Sequence, residues 1–323
     1  MKKALCLVTG GAGFIGSHIV EALLKRKYRV RVLDNLSTGF RSNLSPFKGS
    51  LELQKGDLRS QRDVNRAVKG VKYVYHVGAN RAVLRSVDAP LETNEVNVTG
   101  TLRLLIASRN AGVKRLVFSS SSSIYGNTDQ FPVLETQTPM PESPYAASKI
   151  MGEYYCRQFF ELFGLETVSL RYFNVFGPRQ NPESKYSAVI PIFIDCILKK
   201  KRPEVHWDGK QSRDFSYVDN VVHGNLRAMA TPGVAGQVFN IACHEEFSVN
   251  DILHGLEEIM KVPRVKPIYA PKRAGDVRRT YAAIQKSKKY LKFKVQTRFR
   301  KGLERTVAWF LSERILEKGR RRG

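Results

Sequence analysis

An apolar run, Ala4–Val8, breaks into Thr9-Gly10-Gly11-Ala12-Gly13 and then into a segment of helical period, Ile15–Arg26. A buried strand feeding a glycine turn that opens a helix constrains the fold more than any other feature here. Gly10 permits the tight turn, Gly13 lets backbone N–H groups approach a pyrophosphate at the helix N-terminus, and Gly16 lets helix and strand pack closely. The start resembles a signal peptide only until this turn. Strand-like runs recur at Arg29–Leu33, Leu51–Gln54, Tyr73–Val77, Arg115–Ser119, Thr167–Leu170 and Val238–Ala242. Helical patterns lie between them at Gln61–Val68 and Val96–Asn110. This alternation predicts an α/β, Rossmann-like, doubly wound parallel sheet.

After about residue 175 prolines interrupt the rhythm (Pro178, Pro182, Pro191, Pro203). A smaller, interwoven α/β substrate-binding lobe is expected from 176–214 and 261–323. The dinucleotide domain should occupy 1–175, with 215–260 returning to it.

Asp34 ends the second strand, 18 residues after Gly16. There it can hold both hydroxyls of an adenosine ribose, and its charge repels a 2′-phosphate, so NAD is expected rather than NADP. Asp57 and Leu58 follow the third strand, where an adenine edge could be read; a surface aspartate after Gly56 is the plainer alternative.

Tyr145 and Lys149 stand four apart in Tyr145-Ala146-Ala147-Ser148-Lys149 and so share one helix face. An ammonium there can lower the phenol pKa from about 10 toward neutrality. A phenolate beside a nucleotide cofactor is a base for alcohol oxidation. The serine run Ser119–Ser123 offers a hydroxyl to the reacting oxygen, although serines at a strand end also satisfy backbone groups.

The four cysteines (Cys6, Cys156, Cys196, Cys243) show no CxxC or metal spacing, which points to a reducing, cytoplasmic setting and no metal. No apolar run approaches ~20 residues, so no transmembrane segment is expected. The formal charge is +25. Such a field attracts anions of many kinds. The basic residues are diffuse apart from 199–202 and the tail 318–322, and no RNP run or zinc finger accompanies them, so no specific nucleic-acid partner is expected. At ~1 kcal/mol per basic residue the tail could rest weakly on an anionic membrane surface; a solvated basic surface explains it equally.

The motifs TGGAGFIGSH, DNLSTG, GDL, SSSSIYG, YAASK, RYFNVFGPRQNP, SRDFSYVDN and AGDVRR occur in this order. Over about residues 3–312 the chain resembles the extended short-chain dehydrogenase/reductases, specifically the NAD-dependent nucleotide-sugar 4-epimerases. Within them it looks most like enzymes acting on UDP-N-acetylglucosamine and related UDP-N-acetylhexosamines.

The resemblance implies a catalytic set of Ser121, Tyr145 and Lys149, with Ser123 the alternative serine. It implies NAD contacts from Gly10, Gly13, Phe14, Ile15, Gly16, Asp34, Asn35, Ser37, Thr38, Gly39, Asp57, Leu58, Arg81, Tyr145 and Lys149. The substrate would meet Ser121, Ser122, Ser123, Asn174, the backbone of Ala188 and Val189, a diphosphate clamp of Arg213 and Arg273, Asp276 and Thr280. A salt bridge from Arg213 to Asp214 or Asp219 is the competing role. Dehydratases of this type carry Asp-Glu where Ser122-Ser123 stand, so dehydration is not expected. Arg81 is more basic than the family pattern leads one to expect. Thr280 replaces a bulky tyrosine of glucose-specific relatives, leaving room for an N-acetyl arm.

The implied reaction is transient oxidation at C4 of a UDP-sugar, with hydride returned to the opposite face. A UDP-glucose or UDP-glucuronate 4-epimerase and a UDP-glucuronate decarboxylase are the near alternatives. A non-catalytic NAD sensor or nucleic-acid binder is the distant one. The helical patterns Val96–Asn110 and Pro144–Phe163 imply, by the same resemblance, a homodimer.

Overall fold

The computed structural model describes residues 3–81, 83–181, 188–272 and 277–320, with side chains as far as Glu313. Seven strands form one sheet: β1 (Leu5–Thr9), β2 (Arg29–Asp34), β3 (Glu52–Lys55), β4 (Tyr73–His76), β5 (Arg115–Ser121), β6 (Glu166–Tyr172) and β7 (Gln237–Ile241). Their order is β7-β6-β5-β4-β1-β2-β3, with every pairing parallel. The order reverses beside β1, the switch point at which open parallel sheets bind ligands. Leu5–Thr9 is buried along its whole length, as a central strand covered on both faces requires.

Helices α1 (Phe14–Lys25), α2 (Gln61–Val68), α3 (Gly100–Asn110), α4 (Pro144–Phe163) and α6 (Val218–Ala230) cover the sheet. One apolar cluster joins Ile19, Val20 and Leu23 of α1 to Val221 and Ala228 of α6. The cluster on the opposite face joins Val64, Leu104, Leu105, Phe118 and Phe159. Each such fully buried side chain is worth about 1.5–3 kcal/mol. Helix α4 starts where Ser143 accepts from the Ala146 N–H at 3.1 Å, with Pro144 at the first turn, and stops at Gly164 in the left-handed region. It packs close to β5 because position 152 is glycine: a Cβ there would lie 2.3 Å from Phe118 Cζ.

The segment 215–260 divides. Strand β7 joins the sheet beside β6. Helix α7 (Val249–Met260) instead shares a third core with α5 (Val189–Leu198) and α8 (Phe299–Arg320), through Ile194, Leu253, Leu256 and Leu303. Between these bodies Asp214, fully buried, accepts from the N–H groups of Cys243 (2.9 Å), His244 (3.0 Å) and Ala282 (3.4 Å). Among the described residues no helix is long and apolar enough to cross a membrane. The end of the basic tail, 321–323, lies outside the described residues.

Candidate active site

One cavity opens along the carboxyl ends of the strands, and a second lies beyond β6 against α5. The first, about 480 Å³, is lined by Gly10, Gly13, Phe14, Ile15 and Gly16, by Asp34, Asn35, Ser37, Thr38 and Gly39, and by Asp57, Leu58, Arg81, Tyr145 and Lys149. All the residues expected to meet a dinucleotide therefore border one space.

The glycines are there for backbone reasons. Gly10 holds φ +65°, and a Cβ on Gly16 would lie 2.1 Å from the Gly10 carbonyl oxygen. Gly13 caps α1 without a side-chain acceptor, leaving the first-turn N–H groups to an anion at the cavity wall. Asp34 accepts from the N–H of Ala12 (2.9 Å) and of Leu36 (2.8 Å), which fixes its carboxylate against the cavity. Burial raises its pKa above the ordinary value while those two N–H groups oppose the rise. A glycine cradle, an uncapped helix start and a fixed acidic acceptor together fit an adenine dinucleotide with a free ribose 2′-hydroxyl.

Asp57 borders this cavity while partly exposed. Arg59 grips it in a fork (3.0 and 2.9 Å) and Asn35 donates to it at 2.8 Å, so these bonds hold its carboxyl well below the usual range. Sequence reasoning missed Arg59, together with Phe40, Asn80 and Tyr172, which line the same cavity. The i,i+2 spacing of Asp57 and Arg59 was the available signal.

On α4, Lys149 is buried and donates to the Ser119 carbonyl at 2.8 Å. Burial lowers its pKa to about 8, opposed by Cys156 and Glu153. Its Nζ lies 5.7 Å from the centroid of the Tyr145 ring. The expected lowering of the phenol by this ammonium is not what the protein groups produce. Burial raises the Tyr145 phenol, while a hydrogen bond with Ser121 and the charge of Arg81 pull it down. Lys149 spends one of its three donors on a strand carbonyl and lies on the ring face, and burial of the phenol outweighs the charges around it.

Ser121 is the last residue of β5, and its hydroxyl accepts from the Ser123 N–H (3.2 Å) and hydroxyl (2.9 Å). Ser123 therefore stands one bond behind Ser121, and Ser122 and Ser123 form the turn that follows the strand. Ser119 and Ser120, given no ligand role by the sequence, line the cavity.

The second cavity, about 450 Å³, is bordered by Asn174, Ala188, Val189, Gln211 and Arg213. The Arg213 guanidinium donates to the carbonyls of Ser212 (2.8 Å) and Val277 (2.7 Å). The two acids named as alternatives are engaged elsewhere, Asp214 with backbone N–H groups and Asp219 with Arg305 at 3.1 Å. Thr280 does not line the cavity but reaches its edge through Asn174. Arg273 and Asp276 lie outside the described residues.

With this geometry in view, the comparisons are specific. Residues 6–242 match the NAD dependent epimerase/dehydratase family. A putative UDP-glucose 4-epimerase of Methanocaldococcus jannaschii is 38% identical over 308 residues, covering 94% of this chain and 98% of the relative. The solved UDP-N-acetylglucosamine 4-epimerase of Methanobrevibacter ruminantium M1, in complex with UDP-N-acetylmuramic acid, superposes with TM-score 0.92 at 39% identity, covering 97% of this chain and 100% of that one. The Thermus thermophilus UDP-glucose 4-epimerase, in complex with NAD, superposes with TM-score 0.87 at 36% identity, covering 95% and 99%. The chain belongs to the NAD-dependent epimerase/dehydratase family, and NAD is its cofactor.

Proposed function

We propose that the protein is a 4-epimerase of UDP-hexoses acting on UDP-GlcNAc and UDP-GalNAc. One observation carries this reading: the Tyr145/Lys149 face of α4 opens on the glycine-lined cavity, while Asn174, Ala188, Val189 and Arg213 border a second cavity sized for a nucleotide. The first cavity suits a resident dinucleotide and the second a tethered sugar nucleotide.

Tyr145 takes the proton of the sugar 4-hydroxyl and later returns it, with Ser121 hydrogen-bonded to the reacting oxygen. When bound, NAD would supply the oxidised acceptor for the C4 hydride and, once reduced, the hydride returned to the other face. Lys149 adds a buried cation on the ring face, and Arg81 a second charge from the loop beyond β4. Arg213 meets the diphosphate, whose paired oxygens suit a guanidinium fork. Ala188 starts α5 in extended conformation without a side-chain cap, which leaves its backbone to the nucleobase. Serines at 122 and 123 cannot move protons as an acid pair would, so water elimination is disfavoured.

The small Thr280 favours N-acetylated sugars. The names of the relatives include UDP-glucose, UDP-N-acetylglucosamine and UDP-glucuronate 4-epimerases, so the N-acetyl preference rests on this chain's own residue. Exposed Leu91, Met151, Tyr154 and Leu162 form an apolar face along the segment 90–94 and α4, suited to a homodimer. The free thiols of Cys6, Cys156, Cys196 and Cys243 suit a reducing cytoplasm. Proton NMR of UDP-GlcNAc, UDP-glucose and UDP-glucuronate incubated in parallel tests the assignment. The expected result is UDP-GalNAc formation without CO₂ release; turnover of UDP-glucuronate alone would overturn it.

A further inference from the structure

Helix α4 carries a third polar residue in register with the first two. Tyr145, Lys149 and Glu153 follow one another at four-residue intervals, and each meets the end of β5. Tyr145 meets the Ser121 hydroxyl, Lys149 the Ser119 carbonyl, and the Glu153 carboxylate accepts from the Ser120 hydroxyl. Glu153 is only 3% exposed, and Arg171, 4% exposed, grips it at 2.9 and 2.7 Å. Arg171 lies on β6 directly beside Ser120, and Asn240 of β7 lies beside Arg171. A polar row therefore crosses three strands at one level: Arg171 also donates to the Tyr125 hydroxyl (2.9 Å), which donates to Asn240 Oδ1 (2.6 Å).

A buried ion pair contributes little to stability, because desolvation offsets the attraction and apolar replacements are often neutral or better. Its position beside the cavity asks for another explanation. The titratable groups around Lys149 are Tyr145, Glu153 and Cys156 on its own helix and His76 on β4, with Arg81 facing Tyr145 and Arg171 behind Glu153. Burial holds His76 neutral, its pKa lowered to about 3, and holds the Cys156 thiol protonated. Glu153 is the one carboxylate in this set.

We propose that Glu153 is a positioning residue of the reaction. Anchored by Arg171, it ties Ser120 of β5 to α4 one helical turn from Lys149 and supplies the negative charge among the groups around that ammonium. The proposal rests on the catalytic reading of Tyr145 and Lys149 given above. Without Glu153, Lys149 would share its surroundings with an unpaired guanidinium, and its proton would leave at lower pH.

The test uses the full-length holoenzyme with Glu153→Asp, Glu153→Gln and the double variant Glu153→Gln/Arg171→Met, which removes both charges together. Melting temperature reports folding, kcat and KM are followed from pH 6 to 10, and Lys149 is titrated by NMR in protein labelled at lysine Cε. The double variant is expected to fold and to keep KM within about twofold. Its kcat at pH 8 should fall about fivefold as the alkaline limb and the Lys149 titration, which starts from about 8, move down by about one pH unit. Glu153→Asp, which keeps the charge, should fall between wild type and the double variant. If the double variant fails to fold, Glu153→Asp and the wild-type titration decide. Folded variants with the wild-type alkaline limb and kcat would overturn the proposal. Full turnover by Lys149→Met would instead sink the catalytic reading on which it rests.

Discussion

The side-chain amide of Asn174 donates to the Thr280 hydroxyl at 3.0 Å, joining the loop after β6 to a short strand 106 residues further on. Asn174 also holds a positive φ of 29° and donates to the Asp214 carbonyl, so its amide is held by two bonds. Thr280 thus bears on the edge of the second cavity through Asn174.

Thr280→Tyr should therefore act on sugar choice. The ring would fill the space an N-acetyl arm needs and would break the bond to Asn174. We expect kcat/KM for UDP-GlcNAc to fall at least about tenfold, a loss of about 1.4 kcal/mol, with UDP-glucose much less affected. Parallel steady-state kinetics on the two substrates check this; unchanged UDP-GlcNAc turnover would remove the argument for N-acetylated sugars.

Tyr145→Phe removes the hydroxyl that meets Ser121 and leaves the second cavity untouched. Turnover should be abolished while UDP binds as in wild type by calorimetry. Retained epimerisation would refute the role given to this phenol.

Gly16→Ala would push a methyl group to 2.1 Å from the Gly10 carbonyl oxygen, a backbone atom that cannot step aside. Helix α1 would have to lift from β1, at about 1–3 kcal/mol or more. The melting temperature should fall, and mass spectrometry of the denatured protein should find less NAD than in wild type. NADP in place of NAD in the wild-type spectrum would contradict the reading of Asp34.

Asp214 predicts a specific pH dependence. Burial raises its carboxyl from 3.8 to about 7 in the folded chain, against the pull of three backbone N–H groups. A raised folded pKa gives stability that is complete below the unfolded pKa and is lost as pH rises through the folded one. Relative to Asp214→Asn, whose amide oxygen can still accept from the backbone, wild type should lose roughly 3 kcal/mol between pH 5 and pH 8. Urea unfolding at several pH values measures the difference; a difference that does not change with pH would show the carboxylate to be ionised throughout.

Leu91 is 80% and Leu162 is 71% exposed, unusual for leucines on neighbouring helical segments. If this face joins two copies, Leu91→Glu with Leu162→Glu should halve the mass found by light scattering at micromolar concentration. A wild-type monomer under those conditions would contradict the dimer.

Local periodicity made much of this molecule legible. The strand–turn–helix opening, the six further strand-like runs and the four-residue step from Tyr145 to Lys149 each lie within a few turns or pleats, where period 2 or 3.6 writes the element directly into the residue order. The cofactor cradle was readable for the same reason, since Gly10 to Gly16 and Asp34 belong to one strand–helix–strand unit.

Long-range pairings were not readable. That Ser121 rather than Ser123 stands next to Tyr145 follows from how β5 ends against α4. The meeting of Glu153 with Ser120, of Arg171 with Tyr125, and of Asn174 with Thr280 follows from sheet register and from the packing of segments far apart in the chain. The Tyr145 phenol shows the difference most plainly. Spacing places an ammonium near it, but only the fold decides that Lys149 donates to Ser119 and covers the ring, so that burial outweighs charge among the protein's own groups. Sequence determines which residues share a helix face; distance and solvent exclusion, which set the electrostatics, exist only once the chain has closed around them.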